Sequence, residues 1–172
     1  DWIKKNSNKK YDHKGSIARS GKPDELILNQ AIENFTNDID YNKSLDIKDF
    51  DISFARGLSL EDGCATITNF TAYLITKGIE HANGNNSDPI KFLVCGGGRK
   101  NDYLINSIKN YLFHKKNISL NSIDDYSLKG DYIESQAFGY LSIRSFLNLP
   151  ISYPKTTGCE IPTVGGKLVK NF

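Results

Sequence analysis

The sequence lacks methionine altogether and contains one tryptophan and three cysteines among 172 residues. The cysteines, Cys64, Cys95 and Cys159, are odd in number and far apart, which excludes a disulfide framework and a zinc site of closely paired ligands. We therefore expect a reducing, cytoplasmic environment. Because the chain has no methionine and opens with Asp1, we also expect it to be a piece of a longer protein.

Excess charge and long apolar runs are also scarce. The 22 basic residues nearly balance 20 acidic ones and leave a net charge of +2. So small an excess gives no reason to expect a nucleic-acid partner. No apolar run approaches the roughly 20 residues that a membrane-spanning helix needs, so we expect no membrane partner either. With 38% hydrophobic residues, the chain is long enough to form a core of its own.

The two parts of the chain differ in regularity. Residues 1–57 are polar and irregular, apart from a stretch beginning at Pro23, PDELILNQAIENF, that has the spacing of a short amphipathic helix. Residues 58–172 predict a helix, a strand, a glycine-rich loop, a helix, a strand and a helix, in that order. This order is typical of an α/β fold with parallel strands. We therefore predict a single domain over residues 1–172, with a helical and loop segment at 1–57 and an α/β part at 58–172.

The first helix of the α/β part has a recognisable start and end. Ser59-Leu60-Glu61-Asp62 has the form of a capping box, with Ser59 as the N-cap and Asp62 reaching back to it. A string of turn residues predicts that the helix ends near Ala82. One helical face is predicted to point inward. It consists of Ile67, Phe70, Thr71, Leu74, Ile75 and Gly78.

The elements that follow have shorter signals. IKFLVC predicts a buried strand in which Cys95 is a core residue, and NISLNS predicts a second strand. Asp131 with Glu134 resembles an N-cap pair that opens the last helix, which stops before Pro150. The inner face of the helix between the strands is predicted to consist of Leu104, Ile108, Tyr111 and Leu112.

Three consecutive glycines, Gly96, Gly97 and Gly98, stand between the first predicted strand and the next helix. Glycines at such a position let a ligand approach the main chain, and free N–H groups favour an anion. A dehydrogenase fingerprint would have a glycine where Asn101 stands, and a Walker A loop would need Gly-Lys followed by Ser or Thr. A bare turn stays open as an interpretation. However, three glycines in succession are costly in unfolded-chain entropy, which favours ligand approach.

Several motifs together resemble one family. LVCGGGRKNDYL, KGDYIESQAFGYLSIRSFLNLP and SYPKTTGC, in this order, are similar to the C-terminal part of anhydro-N-acetylmuramic acid kinase. Upstream, DGCATITNFTA resembles that family's Asp-x-x-Ala-Thr-Leu helix, and NKSLDIKDF resembles its Pro-Lys-Ser-x-Gly segment. The resemblance covers nearly the whole chain. The departures from the family pattern are Asp46 in place of glycine, Gly63-Cys64 and Ser135.

The resemblance implies the fold of the actin, Hsp70 and sugar-kinase superfamily, which is ribonuclease-H-like and holds ATP between two lobes. This chain would be the C-terminal lobe, lacking the N-terminal lobe and its own first strands. The nucleotide, with Mg²⁺, would contact Gly96, Gly97, Gly98 and Asn101, the three glycines on its adenosine side. Glu134 would contact the sugar, although on spacing alone it could equally cap its helix together with Asp131.

The implied reaction is ATP-dependent phosphorylation of 1,6-anhydro-N-acetylmuramic acid. Water opens the anhydro ring and the product is N-acetylmuramic acid 6-phosphate, in the recycling of cell-wall peptidoglycan. In the family, the first phosphate loop and the catalytic base precede the Asp-Trp pair that is Asp1-Trp2 here. We therefore expect no catalytic and no metal-ligating residue in this chain.

Two hypotheses about the role of the chain stay open. In the first, it is the second lobe of an active kinase whose other part is absent from this sequence or encoded separately. The partners expected for it are that N-terminal lobe or, as a homodimer, a second copy of the chain. In the second, it is a non-catalytic remnant of a split or decayed gene that keeps the fold and, at most, weak nucleotide binding. A generic sugar kinase is disfavoured by the TTGC and ESQAF blocks together.

Overall fold

The computed structural model describes residues 1–36 and 49–169. These residues fall into two units, one of residues 1–122 and one of residues 123–172. The helices and strands of the first unit are α1 Trp2–Asn6, α2 Ser16–Ser20, α3 Glu25–Thr36, α4 Leu60–Asn83, β1 Ile90–Val94, α5 Asp102–Tyr111 and β2 Ile118–Ser122. The helices of the second unit are α6 Ile133–Phe146 and α7 Pro154–Thr157.

The two strands of the first unit are parallel, with Ile90 opposite Ile118 and Val94 opposite Ser122. This confirms the predicted order of elements and an α/β fold with a small parallel sheet. One face of the sheet packs on α4 and α5 through a hydrophobic cluster, and its buried members include Ala72, Ile79, Ile108, Leu112 and Leu120.

The prediction that the first strand is buried is wrong. Along β1, half-buried and exposed residues alternate, and Leu93 is 42% exposed. Cys95, predicted to be a core residue, follows the end of the strand and is exposed. The reason is that only one face of the strand packs against helices of this unit, so alternate side chains point away from the core.

Helix α4 is the centre of the first unit, because it contributes to three separate hydrophobic clusters. Cys64 packs with Ile3 and Ile17, and Phe70 packs with Leu28 and Ala31. Ala72 and Ile79 of α4 belong to the cluster under the sheet. Helices α1, α2, α3 and α5 all pack against α4. A helix surrounded in this way buries small residues on several faces, where neighbouring backbones approach closely. Its buried residues are Gly63, Cys64, Ala65, Thr66, Phe70, Ala72, Thr76 and Ile79.

This arrangement corrects the inner face predicted for α4. Phe70 is buried as predicted, but Thr71, Ile75 and Gly78 are exposed. The start and end predicted for α4 agree with the structure. Ser59 is the N-cap and its hydroxyl accepts a hydrogen bond from the Asp62 N–H at 3.0 Å, while the helix ends at Asn83.

The N-terminal helices meet the start of α4 through glycines. The Trp2 indole donates a hydrogen bond to the Leu60 carbonyl at 2.9 Å, and a Cβ added at Gly63 would collide with the same indole. A Cβ at Gly21 would likewise collide with the backbone of Glu61. The departure from the family pattern at Gly63 therefore has a steric counterpart, which is the tryptophan ring that occupies the space of a side chain.

The second unit contains little buried surface. No residue of α6 is buried, and between residues 123 and 169 the buried class contains only Ile123 and Gly130. Polar contacts within the unit hold its segments together instead. Arg144 donates to the Pro150 carbonyl through Nε and to the Tyr153 hydroxyl through Nη2, both at 2.7 Å.

Two predictions cannot be compared with these elements. Most of the NKSLDIKDF segment, including Asp46, lies outside the described residues, and the single domain with an internal boundary at residues 57 and 58 stays a prediction. Within the ranges 1–36 and 49–169, no helix combines the length and the apolar character that crossing a membrane requires.

Candidate nucleotide site

The three glycines form a sharp turn between β1 and α5. Gly96 has φ 75° and ψ −177°, a combination that is essentially confined to glycine. A turn of 3₁₀ helix follows over Gly97–Lys100, and α5 begins at Asp102. Arg99 returns to the start of the turn, since its Nη1 donates to the Gly96 carbonyl at 2.8 Å. We call residues Gly96 to Gly98 the glycine loop.

The glycine loop is exposed, and the chain itself leaves space beside it. A Cβ added at Gly96 or Gly97 would meet no atom within 4 Å, and one at Gly98 would meet only the Leu104 side chain, at 4.0 Å. Among the three, only Gly96 has a positive φ. The fold of the chain therefore explains a glycine at position 96, but it gives no steric reason for glycine at 97 and 98.

Asn101 ends the turn as the N-cap of α5. Its side-chain oxygen accepts a hydrogen bond from the Leu104 N–H at 3.0 Å, which satisfies one of the free donors at the start of the helix. The same side chain lies against Gly15, which has φ 71°, because a Cβ at Gly15 would collide with Asn101 Oδ1. A capping function thus accounts for Asn101 within the chain, and a contact between Asn101 and nucleotide stays a prediction.

Glu134 belongs to the second unit and is exposed in the first turn of α6. The N-cap of this helix is Tyr132, whose side chain makes no capping hydrogen bond. The predicted N-cap pair of Asp131 and Glu134 is therefore wrong, because the helix begins two residues after Asp131. An acidic residue in the first turn still interacts favourably with the helix dipole. The contact of Glu134 with the sugar stays a prediction.

The carboxylate of Asp12 lies at the opposite end of α4 from the sheet cluster, beside a buried thiol. It accepts hydrogen bonds from the Ile17 and Ala18 N–H groups at 2.8 and 3.0 Å, and Cys64 Sγ donates to it at 3.5 Å. Burial, and next the negative charge of Asp12, raise the pKa of Cys64 from 9.0 to about 12. This cysteine is therefore a protonated, structural residue and not a nucleophile.

One cavity among the described residues is lined by residues that are far from the glycine loop in the sequence. It has a volume of about 440 Å³ and is lined by α3, including Phe35, by the segment from Asp49 to Phe54, and by Phe70 of α4. In the described ranges, no three His, Cys, Asp or Glu side chains are grouped so that they could hold a metal ion.

Two residues near the loop were not singled out from the sequence. The Arg99 side chain donates a hydrogen bond to a backbone carbonyl. Gly15, which has no side chain, leaves room for the side chain of Asn101, 86 positions away along the chain. Neither contact produces a periodic pattern in the sequence from which it could be predicted. The available signals were an arginine directly after the glycines and a glycine in a polar, basic segment, and both are weak.

Comparison with known proteins agrees with the motifs. The family model of anhydro-N-acetylmuramic acid kinase matches residues 1–171. The chain belongs to this family. It is 49% identical to the anhydro-N-acetylmuramic acid kinase of Pelagibacter ubique over 174 residues, which cover 100% of this chain and 46% of that protein. It is 36% identical to the kinase of the same name from Zymomonas mobilis, over 98% of this chain and 44% of the relative.

A third relative, from Rhizobium rhizogenes, is 35% identical over 99% of this chain and 44% of its own length. The chain thus spans less than half the length of the curated relatives that it matches. The family is established by these matches. What the whole protein binds and converts follows as a proposal.

Proposed function

We propose that this chain is the nucleotide-contacting part of an anhydro-N-acetylmuramic acid kinase. The complete protein would transfer the γ-phosphoryl group of ATP to 1,6-anhydro-N-acetylmuramic acid, while water opens the anhydro ring, in peptidoglycan recycling. The actin-like fold implied by the resemblance would hold the nucleotide between two lobes. The observation that carries the proposal is the glycine loop, which lies at a strand-to-helix turn within the family match.

The open space at Gly97 supports nucleotide contact over a bare turn. If the turn served the fold alone, a glycine would be needed only where φ is positive, which is at Gly96. A second and third glycine, with free space around them, are expected where a ligand or another chain approaches the backbone. The loop residues therefore fit a nucleotide, which main-chain N–H groups of Gly97 and Gly98 would contact.

Phosphoryl transfer needs the nucleotide held from more than one side and a positioned base, because positioning and charge stabilisation supply most of the catalysis. Mg²⁺ bound with ATP would neutralise charge on the phosphates. We assign neither a Mg²⁺ ligand nor a catalytic base to this chain. Its share of the reaction would be to bind the nucleotide through the loop and the sugar through Glu134.

The test of nucleotide contact uses Gly97→Val in residues 1–172. Because no atom lies within 4 Å of the added Cβ, the variant should fold as the wild type does. We expect its affinity for a fluorescent ATP analogue to fall at least about tenfold, since the side chain would occupy the ligand's place. Gly78→Ala, in exposed space on α4, is the control and should bind as the wild type does. Equal affinity in Gly97→Val and wild type would identify the loop as a bare turn.

Turnover provides a second test. We expect residues 1–172 alone to release no ADP in the presence of the anhydro sugar, and a separately expressed N-terminal part of the family to restore sugar-dependent release on mixing. In that mixture, Glu134→Gln should lower turnover while thermal stability is kept, and Glu160→Gln, an exposed acidic residue of the same unit, should not. Sugar-dependent turnover by the lone chain would contradict the assignment of the base to another part of the protein.

A further inference from the structure

The Arg99 side chain contacts the glycine loop from the residue directly after it. Its guanidinium Nη1 lies 2.8 Å from the carbonyl oxygen of Gly96. A hydrogen bond from a charged donor is roughly twice as strong as one between neutral groups.

The bond closes a small ring that contains Gly97 and Gly98. Gly97 and Gly98 have no side chains that could hold them in place, and glycine loses more conformational freedom on ordering than any other residue. One end of the ring is Gly96, in its glycine-only conformation, and the other is Arg99 itself. Beyond it, the Asn101 N–H donates to the Gly98 carbonyl at 3.0 Å. Hydrogen bonds thus hold the loop at the carbonyls of Gly96 and Gly98, while the space beside Gly97 stays open.

A loop that is ordered before a ligand arrives costs the ligand less binding free energy. We infer that Arg99 is a positioning residue of the nucleotide site, which holds the Gly96 carbonyl and thereby presets the backbone of Gly97 and Gly98 for the nucleotide. The inference rests on the proposed function of the loop. It adds a side chain that does not have to touch the nucleotide and acts through the backbone that does.

The experiment compares nucleotide affinity with loop order in residues 1–172. The variants are Arg99→Ala, which removes the bond, and Arg99→Lys, which keeps the charge and one possible donor. Lys100→Ala removes the same charge from the neighbouring, more exposed residue and is the control for charge alone. Each is titrated with a fluorescent ATP analogue, and the amide exchange of Gly97 and Gly98 is followed by NMR.

We expect Arg99→Ala to weaken nucleotide binding about five- to tenfold and to accelerate exchange at Gly97 and Gly98, with the melting temperature and the exchange of α5 unchanged. Arg99→Lys should recover part of the affinity, and Lys100→Ala should change it less than twofold. Nucleotide binding that is unaffected in Arg99→Ala, or weakened equally in Lys100→Ala, would overturn the inference and leave the proposed function standing. Absence of nucleotide binding in the wild type would overturn both.

Discussion

The described residues of the first unit pack many of their apolar side chains around α4, whereas residues 123–169 leave most of theirs exposed to solvent. In the first unit, three clusters hold buried residues such as Leu28, Phe70 and Ile108 at 4% exposure or less. In the second, α6 contains no buried residue, and Phe138 and Phe146 are 63% and 70% exposed. The second unit thus contains apolar side chains that its own described residues leave exposed.

The difference shows that composition and burial are separate properties of a segment. Single exposed apolar residues are common on proteins, but a contiguous exposed group marks a surface that another part of a chain or a partner covers. The relatives that this chain matches are more than twice as long as the region of similarity. Packing of its own apolar side chains therefore stabilises the first unit, whereas mainly local hydrogen bonds stabilise the second.

The largest expected effect comes from removing one phenylalanine side chain from each unit and comparing the free energies of unfolding. Phe70→Ala removes a side chain that is 4% exposed and contacts Phe35 and Phe54, so it should lower the free energy of unfolding by about 3–5 kcal/mol. Phe138→Ala should change it by less than about 0.5 kcal/mol. Urea unfolding of residues 1–172 measures both. A cost of several kcal/mol for Phe138→Ala would show that α6 is covered in solution.

The second prediction uses two glycines of α4. Gly63→Ala would press against the Trp2 indole and, although alanine favours a helix, should destabilise the first unit by about 1–3 kcal/mol. Gly78→Ala meets no atom within 4 Å and should stabilise it by about 0.5–1 kcal/mol. Because Trp2 is the only tryptophan, its fluorescence should shift to longer wavelength in Gly63→Ala alone. The same sign for both variants would argue against the packing of α1 on α4.

How far the sequence predicted these features depended on the kind of signal. The order of elements, the parallel strands, and the start and end of α4 followed from local patterns such as Ser59 as N-cap. The inner face of α4 did not, because a helix packed on several sides has no single apolar stripe, and Ile75 is exposed while Ala72 is buried.

The candidate site shows the same division. The three glycines and Asn101 were found because they stand together in the sequence, and the structure places them in one turn. The contacts of Arg99 with Gly96 and of Gly15 with Asn101 depend on backbone conformation and tertiary packing, which no spacing in the sequence encodes. The contact of Glu134 with a sugar stays a prediction that rests on the resemblance to the family.

The third prediction concerns pH and the thiols. Burial and Asp12 raise the pKa of Cys64 to about 12, above the ordinary value of 9.0. An acid whose pKa is raised by folding stabilises the fold below the unfolded-state pKa, and this contribution is lost as the pH rises from about 9 to 12. The stability of the first unit should therefore fall in this range, and less so in Cys64→Ala. At pH 8, a thiol reagent should modify exposed Cys95 rapidly and Cys64 only on unfolding; equal rates would contradict the buried Asp12–Cys64 contact.

The smallest expected effect tests whether the second unit is held by polar contacts. Arg144 donates to the Pro150 carbonyl and to the hydroxyls of Tyr140 and Tyr153, at 2.7, 3.2 and 2.7 Å. Its partly exposed position limits the loss in Arg144→Ala to about 1 kcal/mol.

Because apolar burial in this unit is so small, that loss should be visible locally. Amide exchange from residue 150 to residue 163, including the Thr163 N–H bonded to the Ser152 carbonyl, should accelerate, while exchange in α4 should not change. Lys155→Ala, an exposed cation on α7, is the matched control and should leave the exchange as in the wild type. If Arg144→Ala also leaves exchange unchanged, apolar contacts made in solution, and not the arginine, hold this segment, and the contrast between the two units would be smaller than their side-chain burial indicates.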